Sequence, residues 1–346
     1  VIPYILLFLV VFLFSNRIRK EKWMLRDIIL LGILILFSGL RYGIGVDYPL
    51  YETIYSSSYY SDVSIIASSR TGIGFSYLMI LSNKIGLNFP AFIFLCSLVT
   101  IIGIYVFFKK YSIKPGLAIL IYISLGFYTA SFNGFRQQLG LSLALIGLMF
   151  FREKKYIYSI VLFVISFVVH SSLLISIIVY ILIERKKIKI RPIVLYGIFL
   201  IAYIFYDHLF SSIIVNIDSY SGYLDYDSIP GVGTFLMVFL YIFVTIVFIF
   251  RNRKILSNIN QYGSRYINYL LVGTAIMILQ LKNWLFVRLV VDFTIFMPLL
   301  LAELYSVKIN KERSLQLIFF TLLFIYYVLY INSFGGVVPY NSILSL

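Results

Sequence analysis

The chain has 346 residues, 61% hydrophobic and only 12% charged, with a mean hydropathy of +0.98 and a formal net charge of +15. Soluble domains carry roughly 45–50% apolar and about 25% charged residues, so this composition excludes an ordinary soluble globule. It predicts an all-α, polytopic integral membrane protein, because only helices or closed barrels satisfy the backbone in lipid. The apolar runs are continuous rather than alternating, which excludes an outer-membrane barrel. The single Cys96 excludes an intramolecular disulfide framework or a cysteine cluster, and two histidines with few acids point away from a metal site. The cations cluster between apolar runs rather than along one face, a pattern of membrane topology and not of nucleic-acid binding.

Val1 to Phe14 lacks a basic leader and a small-residue cleavage site and reads as a retained span. Arg17, Arg19, Lys20, Lys22 and Arg26 then mark the cytoplasmic side. A span from about Ile28 to Ile44 emerges outside with Arg41 near its exit, followed by a Tyr- and Ser-rich polar segment. Gly72 to Leu87 reads as a helix lying in the outer interface. Phe89 to Phe108 crosses inward, Leu117 to about Ser131 outward, and Phe135 to Phe151 inward again. Between the last two sits a polar knot, Asn133-Gly134-Phe135-Arg136-Gln137-Gln138.

The run Tyr156 to Ile183 is apolar throughout and basic at both flanks. One helix would put one flank outside, so the charges predict two helices of about 13 residues turning near His170-Ser171-Ser172. Each is shorter than the roughly 20 residues of a full span, which points to a re-entrant hairpin with its turn buried in protein or lining a wet cavity. Further crossings follow from Arg191 to about Ile214, Thr234 to Phe250, Tyr266 to Leu281, Phe286 to Ala302 and Leu315 to Ile331, leaving the tail outside. The expected architecture is a single transmembrane domain, 1–346, of about 11–12 transmembrane or re-entrant helices. Its external segments lie near 46–87 and 216–233, the second holding Asp218, Tyr220, Tyr223, Asp225, Tyr226 and Asp227.

Of the 29 cations, 23 fall in loops or helix starts assigned to the inside, and six lie outside: Arg41, Arg70, Lys84, Arg136, Lys282 and Arg288. Lys84 and Lys282 read as snorkelling helix-end residues. Arg41, Arg136 and Arg288 lie at span ends beside glycines, amides or a carboxylate. Ionisable groups at membrane depth face cavities or partners, and guanidinia pair bidentately with phosphate oxygens without losing charge. The expectation is a diphosphate cradle built from these three arginines. Asp292, four residues after Arg288, is placed either to pair with it or to aim it. Asp47 is either a turn or cap residue or a general base; His170 is either a core histidine or a base or donor. His208 reads as interfacial. The external tyrosines read first as an aromatic belt, with sugar stacking as the alternative.

The stretch Arg41-Tyr42-Gly43-Ile44-Gly45-Val46-Asp47-Tyr48, followed by Tyr51, resembles the signature of the EpsG-like branch of the Wzy-type polysaccharide polymerases. Phe132-Asn133 with Arg136-Gln137, the His170-Ser171-Ser172 turn, Arg288 in a late span and the Pro339-Tyr340 tail follow in family order. Arg70-Thr71-Gly72-Ile73-Gly74 departs from a Glu-Pro-Gly-type stretch expected there. The resemblance implies a GT-C-like, lipid-sugar-using glycosyltransferase on the outer face of the bacterial cytoplasmic membrane. Its donor and acceptor would be oligosaccharide repeat units on undecaprenyl diphosphate, for capsule, exopolysaccharide or O-antigen. A flippase and a chain-length regulator are its implied partners, and no cofactor is implied. Arg136, His170 and Asp47 are the catalytic candidates; Arg41, Arg136, Gln137, Arg288, Asn133, Tyr48 and Tyr51 are the substrate-binding ones. The rivals are a flippase of the lipid-linked oligosaccharide, which would show repeat halves, an O-antigen-type ligase, and a membrane acyltransferase.

Overall fold

The computed structural model describes residues 1–15, 17–58, 72–186, 190–209, 232–333 and 336–345. Among them the secondary structure is helical, apart from an isolated bridge between Arg41 and Ser342. The stretch 59–71, with Arg70, and the stretch 210–231, with Asp218, Tyr220, Tyr223, Asp225, Tyr226 and Asp227, lie outside the described residues. The chain forms two compact units, Val1–Leu174 with Leu301–Leu346, and Ile175–Leu300.

The first unit holds α1 (Ile2–Ser15), α2 (Leu25–Gly39), α3 (Tyr48–Ser57), α4 (Ile73–Lys84), α5 (Phe89–Tyr111), α6 (Pro115–Ser124), α7 (Phe127–Ala130), α8 (Phe135–Arg152), α9 (Tyr156–Val169) and, late in the chain, α18 (Arg313–Ser333). α5 starts where Asn88 Oδ1 accepts the Ala91 N–H at 3.0 Å with Pro90 in the first turn, and it ends on Lys109 and Lys110. An amide cap, an early proline and late cations each suit the helix ends they occupy. α8 packs most extensively on α9 and α5. On α9, buried Ser159, Phe163, Ser166 and Val169 recur every three or four residues, while Ile157, Ile160, Val161, Val164 and Val168 are exposed. That is the pattern of an apolar helix with one face on its neighbours and the other on lipid.

α5 and α18 are long and apolar enough to cross a membrane. α5 is largely buried; α18 buries only Leu323, Tyr327 and Ile331, and exposes Leu317, Ile318, Leu322, Ile325 and Leu329. At the other end of α5, Lys109 pairs with buried Asp27, which also accepts from Tyr105 at 3.0 Å; the ammonium further donates to the carbonyls of Arg19 (2.9 Å) and Lys22 (3.0 Å). Between α8 and α9, hydrogen bonds from Lys110 and Lys155 hold the Glu153 carboxyl below the ordinary carboxylate range.

The expected single crossing from Leu117 to Ser131 is two helices. Gly126 sits at φ +83° between α6 and α7, and the Tyr330 ring of α18 fills the space where its side chain would stand. Only glycine combines that backbone with that neighbour. The run from Tyr156 is broken where its flanking charges predict: α9 and α10 (Leu173–Lys186) are 14 residues each and separate at His170-Ser171-Ser172.

α10 passes into the second unit, which continues with α11 (Pro192–Ile204), α12 (Tyr206–Leu209), α13 (Val232–Phe243) running into a π-helical stretch (Val244–Phe250), α14 (Arg253–Ile259), α15 (Gly263–Gln280), α16 (Phe286–Thr294) and the start of α17 (Met297–Val307). Its core is aromatic: Phe296 stacks on Tyr269 at 4.4 Å between centroids, and Tyr180 stands edge-on to Tyr269 at 5.1 Å and to Phe293 at 5.6 Å. Glu184 accepts from Tyr269 at 2.8 Å and pairs with Arg265 at 3.0 Å. The expected continuous crossing Phe286 to Ala302 is interrupted at Ile295-Phe296. Pro298 has no N–H to give the Thr294 carbonyl, and its ring crowds that oxygen.

Candidate functional site

The loop after α2 carries the first candidate cation. Arg41 is 1% exposed. Its Nη1 donates to the Ser38 carbonyl and to Ser97 Oγ at 3.0 Å, and its guanidinium carbon lies 4.9 Å from the centroid of the Phe132 ring. Serines on α2 and α5, themselves 3.1 Å apart, and an aromatic face thus hold a charge that no carboxylate pairs with among the described residues. Buried cations are normally paired, so the arrangement leaves a fixed positive charge in the protein interior.

The polar knot docks on this loop. Asn133 Oδ1 accepts the Val46 N–H at 2.7 Å. Gly45 has φ +103°, and a side-chain carbon there would lie 2.6 Å from Asn133 Oδ1 and 3.0 Å from the Phe132 carbonyl oxygen. The glycine therefore serves both the turn and the approach of the knot. α8 begins at Phe135, which puts the half-buried Arg136 in its first turn, and a carbon added at Gly72 would lie 3.6 Å from Arg136 Nη1. Gln137 and Gln138 are buried behind it, and the Gln138 Oε1 has no hydrogen-bond donor among the described residues.

His170 belongs to the same neighbourhood. It is buried at the end of α9, its backbone N–H donating to the Ser166 carbonyl at 2.9 Å. α9 approaches α8 at Gly140, where an added carbon would stand 3.3 Å from His170 Cβ, and Ser166 Oγ donates to the Gly140 carbonyl at 2.8 Å. Gly140 is four residues after Arg136, so His170 sits one turn along α8 on the face that carries the arginine.

The chain matches the family model described as EpsG family over residues 24–342. It belongs to the EpsG family. That is a Wzy-like polymerase family, and membership gives the chain a polysaccharide-polymerase-type, glycosyltransferase-like role at a membrane. No curated protein and no solved structure matches it.

The other candidates of this EpsG-family chain take distinct positions. Asp47 immediately precedes α3 and its carbonyl accepts the Tyr51 N–H at 3.1 Å, but its carboxylate does not cap the helix. Tyr48 is buried edge-on to Phe89 at 5.0 Å and Tyr42 at 5.9 Å. Half-buried Tyr51 packs edge-on to Phe135 at 4.6 Å, fastening α3 to the start of α8. In the second unit, Arg288 is half-buried on α16, and the Asp292 carboxylate accepts from Ser176 at 2.6 Å. His208 is exposed at the end of α12.

Two contributors escape sequence reasoning. Ser97 lies inside an apolar run, where one hydroxyl carries no distinguishing signal. The tail returns to the loop: Tyr42 N–H donates to the Asn341 carbonyl at 3.1 Å, Ile343 N–H to Leu40 at 2.9 Å, and Gly45 N–H to Gly336 at 3.4 Å. Tyr340 stacks on Phe37 at 4.2 Å and donates to its carbonyl at 2.8 Å. The Pro339-Tyr340 motif was the available signal for that return.

Proposed function

We propose that this EpsG-family protein is a multi-pass polymerase of the bacterial cytoplasmic membrane that joins undecaprenyl-diphosphate-linked oligosaccharide repeat units on the outer face. The observation that carries the reading is the docking of two polar segments remote in sequence. Residues 41–47 and 132–136 meet through Asn133 and Phe132, and bring Arg41, Arg136 and, one turn along α8, His170 into one assembly. The placement of Arg136 supports an anionic ligand. A cation in the first turn opposes the helix dipole, whereas an anion bound there is favoured by both the dipole and the positive charge. The loop-charge asymmetry supports the outward orientation.

The acceptor hydroxyl oxygen attacks the anomeric carbon of the donor chain. The bond from that carbon to the diphosphate oxygen breaks, and undecaprenyl diphosphate leaves with the electron pair. The hydroxyl proton passes to His170, or to Asp47, as general base. Arg136 and Arg41 stabilise the charge developing on the leaving diphosphate. Because fixed guanidinia carry the counter-charge, the proposed reaction is metal-independent.

The test is purified protein supplied with lipid-linked repeat units extracted from cells lacking the polymerase, without nucleotide or added metal. The expected result is a ladder of polymer. In cells, Arg136→Ala should leave single repeat units on lipid at the outer leaflet; accumulation on the inner leaflet would instead establish a flippase.

A further inference from the structure

We propose that Asn133 is a positioning residue whose carboxamide oxygen locks the Arg41 loop to the start of α8, and that substrate does not use this oxygen. The inference rests on the polymerase reading above and deepens it. Asn133 Oδ1 is committed to the Val46 N–H at 2.7 Å, in a loop where Gly45 has given up a side chain to admit it. The far side of the same loop is held by the tail, through Tyr42 N–H to Asn341, Ile343 N–H to Leu40, and Gly45 N–H to Gly336. The loop is therefore fixed from two sides, and Asn133 is the side that communicates with α8. Arg136 follows Asn133 by three residues, and Phe132, which precedes it, carries the Arg41 guanidinium on its ring. This hydrogen bond thus links the segments that carry two arginines from distant parts of the chain. Such placement matters to a leaving group more than to binding, because misaimed donors lose transition-state charge stabilisation first.

The chemistry of the side chain separates this role from direct contact. Aspartate retains an oxygen that accepts the Val46 N–H, but has no N–H to offer a sugar or diphosphate and repels an anion. Under the proposal, Asn133→Asp retains clearly more kcat than Asn133→Ala, which loses about tenfold or more with little change in KM. Gly45→Ala, which crowds the same contact from the loop side, should resemble Asn133→Ala. The substrate is the extracted lipid-linked repeat unit, and the variants are compared at equal amounts of folded protein. Hydrogen exchange over residues 42–48 provides a readout independent of activity: it should rise in Asn133→Ala and stay at the wild-type level in Asn133→Asp. An Asn133→Asp protein as inactive as Asn133→Ala, a loss confined to KM, or unchanged exchange in Asn133→Ala overturns the proposal. A wild-type protein that makes no ladder overturns the polymerase reading instead, and the exchange measurement still decides whether Asn133 holds the loop.

Discussion

The Arg41 guanidinium lies on the face of the Phe132 ring, 4.9 Å from its centroid, while the Ser97 hydroxyl accepts from its Nη1. Nη1 reaches the Ser38 carbonyl and Ser97 while the guanidinium carbon lies over the ring, and a compact, strongly hydrated ammonium does not cover both places. Arg41→Lys should therefore lower polymer formation by about tenfold or more. Phe132→Leu removes a contact worth about 0.5–2 kcal/mol and should lower it by roughly two- to thirtyfold. Polymer ladders from cells making equal amounts of each variant in the membrane check both; wild-type ladders from Arg41→Lys would remove Arg41 from the site.

How far this arrangement was legible in the sequence depends on the kind of signal. The break at His170-Ser171-Ser172 was readable because charge at both flanks of an apolar run constrains topology over a long range. The helix start at Phe135 was readable from local chemistry, the Asn133-Gly134 turn. The burial of Arg41 was not, since it depends on serines and a ring from three separate segments. Nor was the split of Leu117 to Ser131, which is enforced by the distant Tyr330 as well as by Gly126.

The pair Lys109–Asp27 tests the first unit away from the proposed site. Both side chains are buried, and Asp27→Leu leaves an ammonium without its counter-charge. The expected cost is about 3–5 kcal/mol, read as a fall in thermal stability of the detergent-solubilised protein. Adding Lys109→Met should restore part of it. Recovery stays incomplete, because the Arg19 and Lys22 carbonyls lose the donor they share. Equal stability of the single and double variants would contradict this account.

If guanidinia supply the counter-charge to the leaving diphosphate, chelation should not stop the reaction. Polymer formation by the purified protein should persist in excess EDTA at the untreated rate, within about twofold. Arg136→Ala, in the same assay, should lose at least about a hundredfold, the scale on which a single transition-state donor acts. Loss of the ladder on chelation, restored by magnesium, would assign part of that charge to a metal.

The tail makes a graded prediction, because Tyr340 joins it to α2 in two separable ways. Tyr340→Phe keeps the ring stacked on Phe37 and loses only the hydrogen bond to its carbonyl, a change of about 0.5–1.5 kcal/mol. Tyr340→Ala also loses the stacking and its edge contact with Tyr4 at 5.7 Å, and leaves a cavity beside α1. Since residues 336–343 hold the backbone of the Arg41 loop, the damage should reach polymer formation and not only stability. Tyr340→Phe should form ladders near the wild-type level, whereas Tyr340→Ala, and a chain ending at Gly335, should form short products or none. Membrane insertion should survive in all three, because the helices that bury most of the first unit precede the tail. Full-length ladders from the truncated chain would show that Asn133 alone holds the loop.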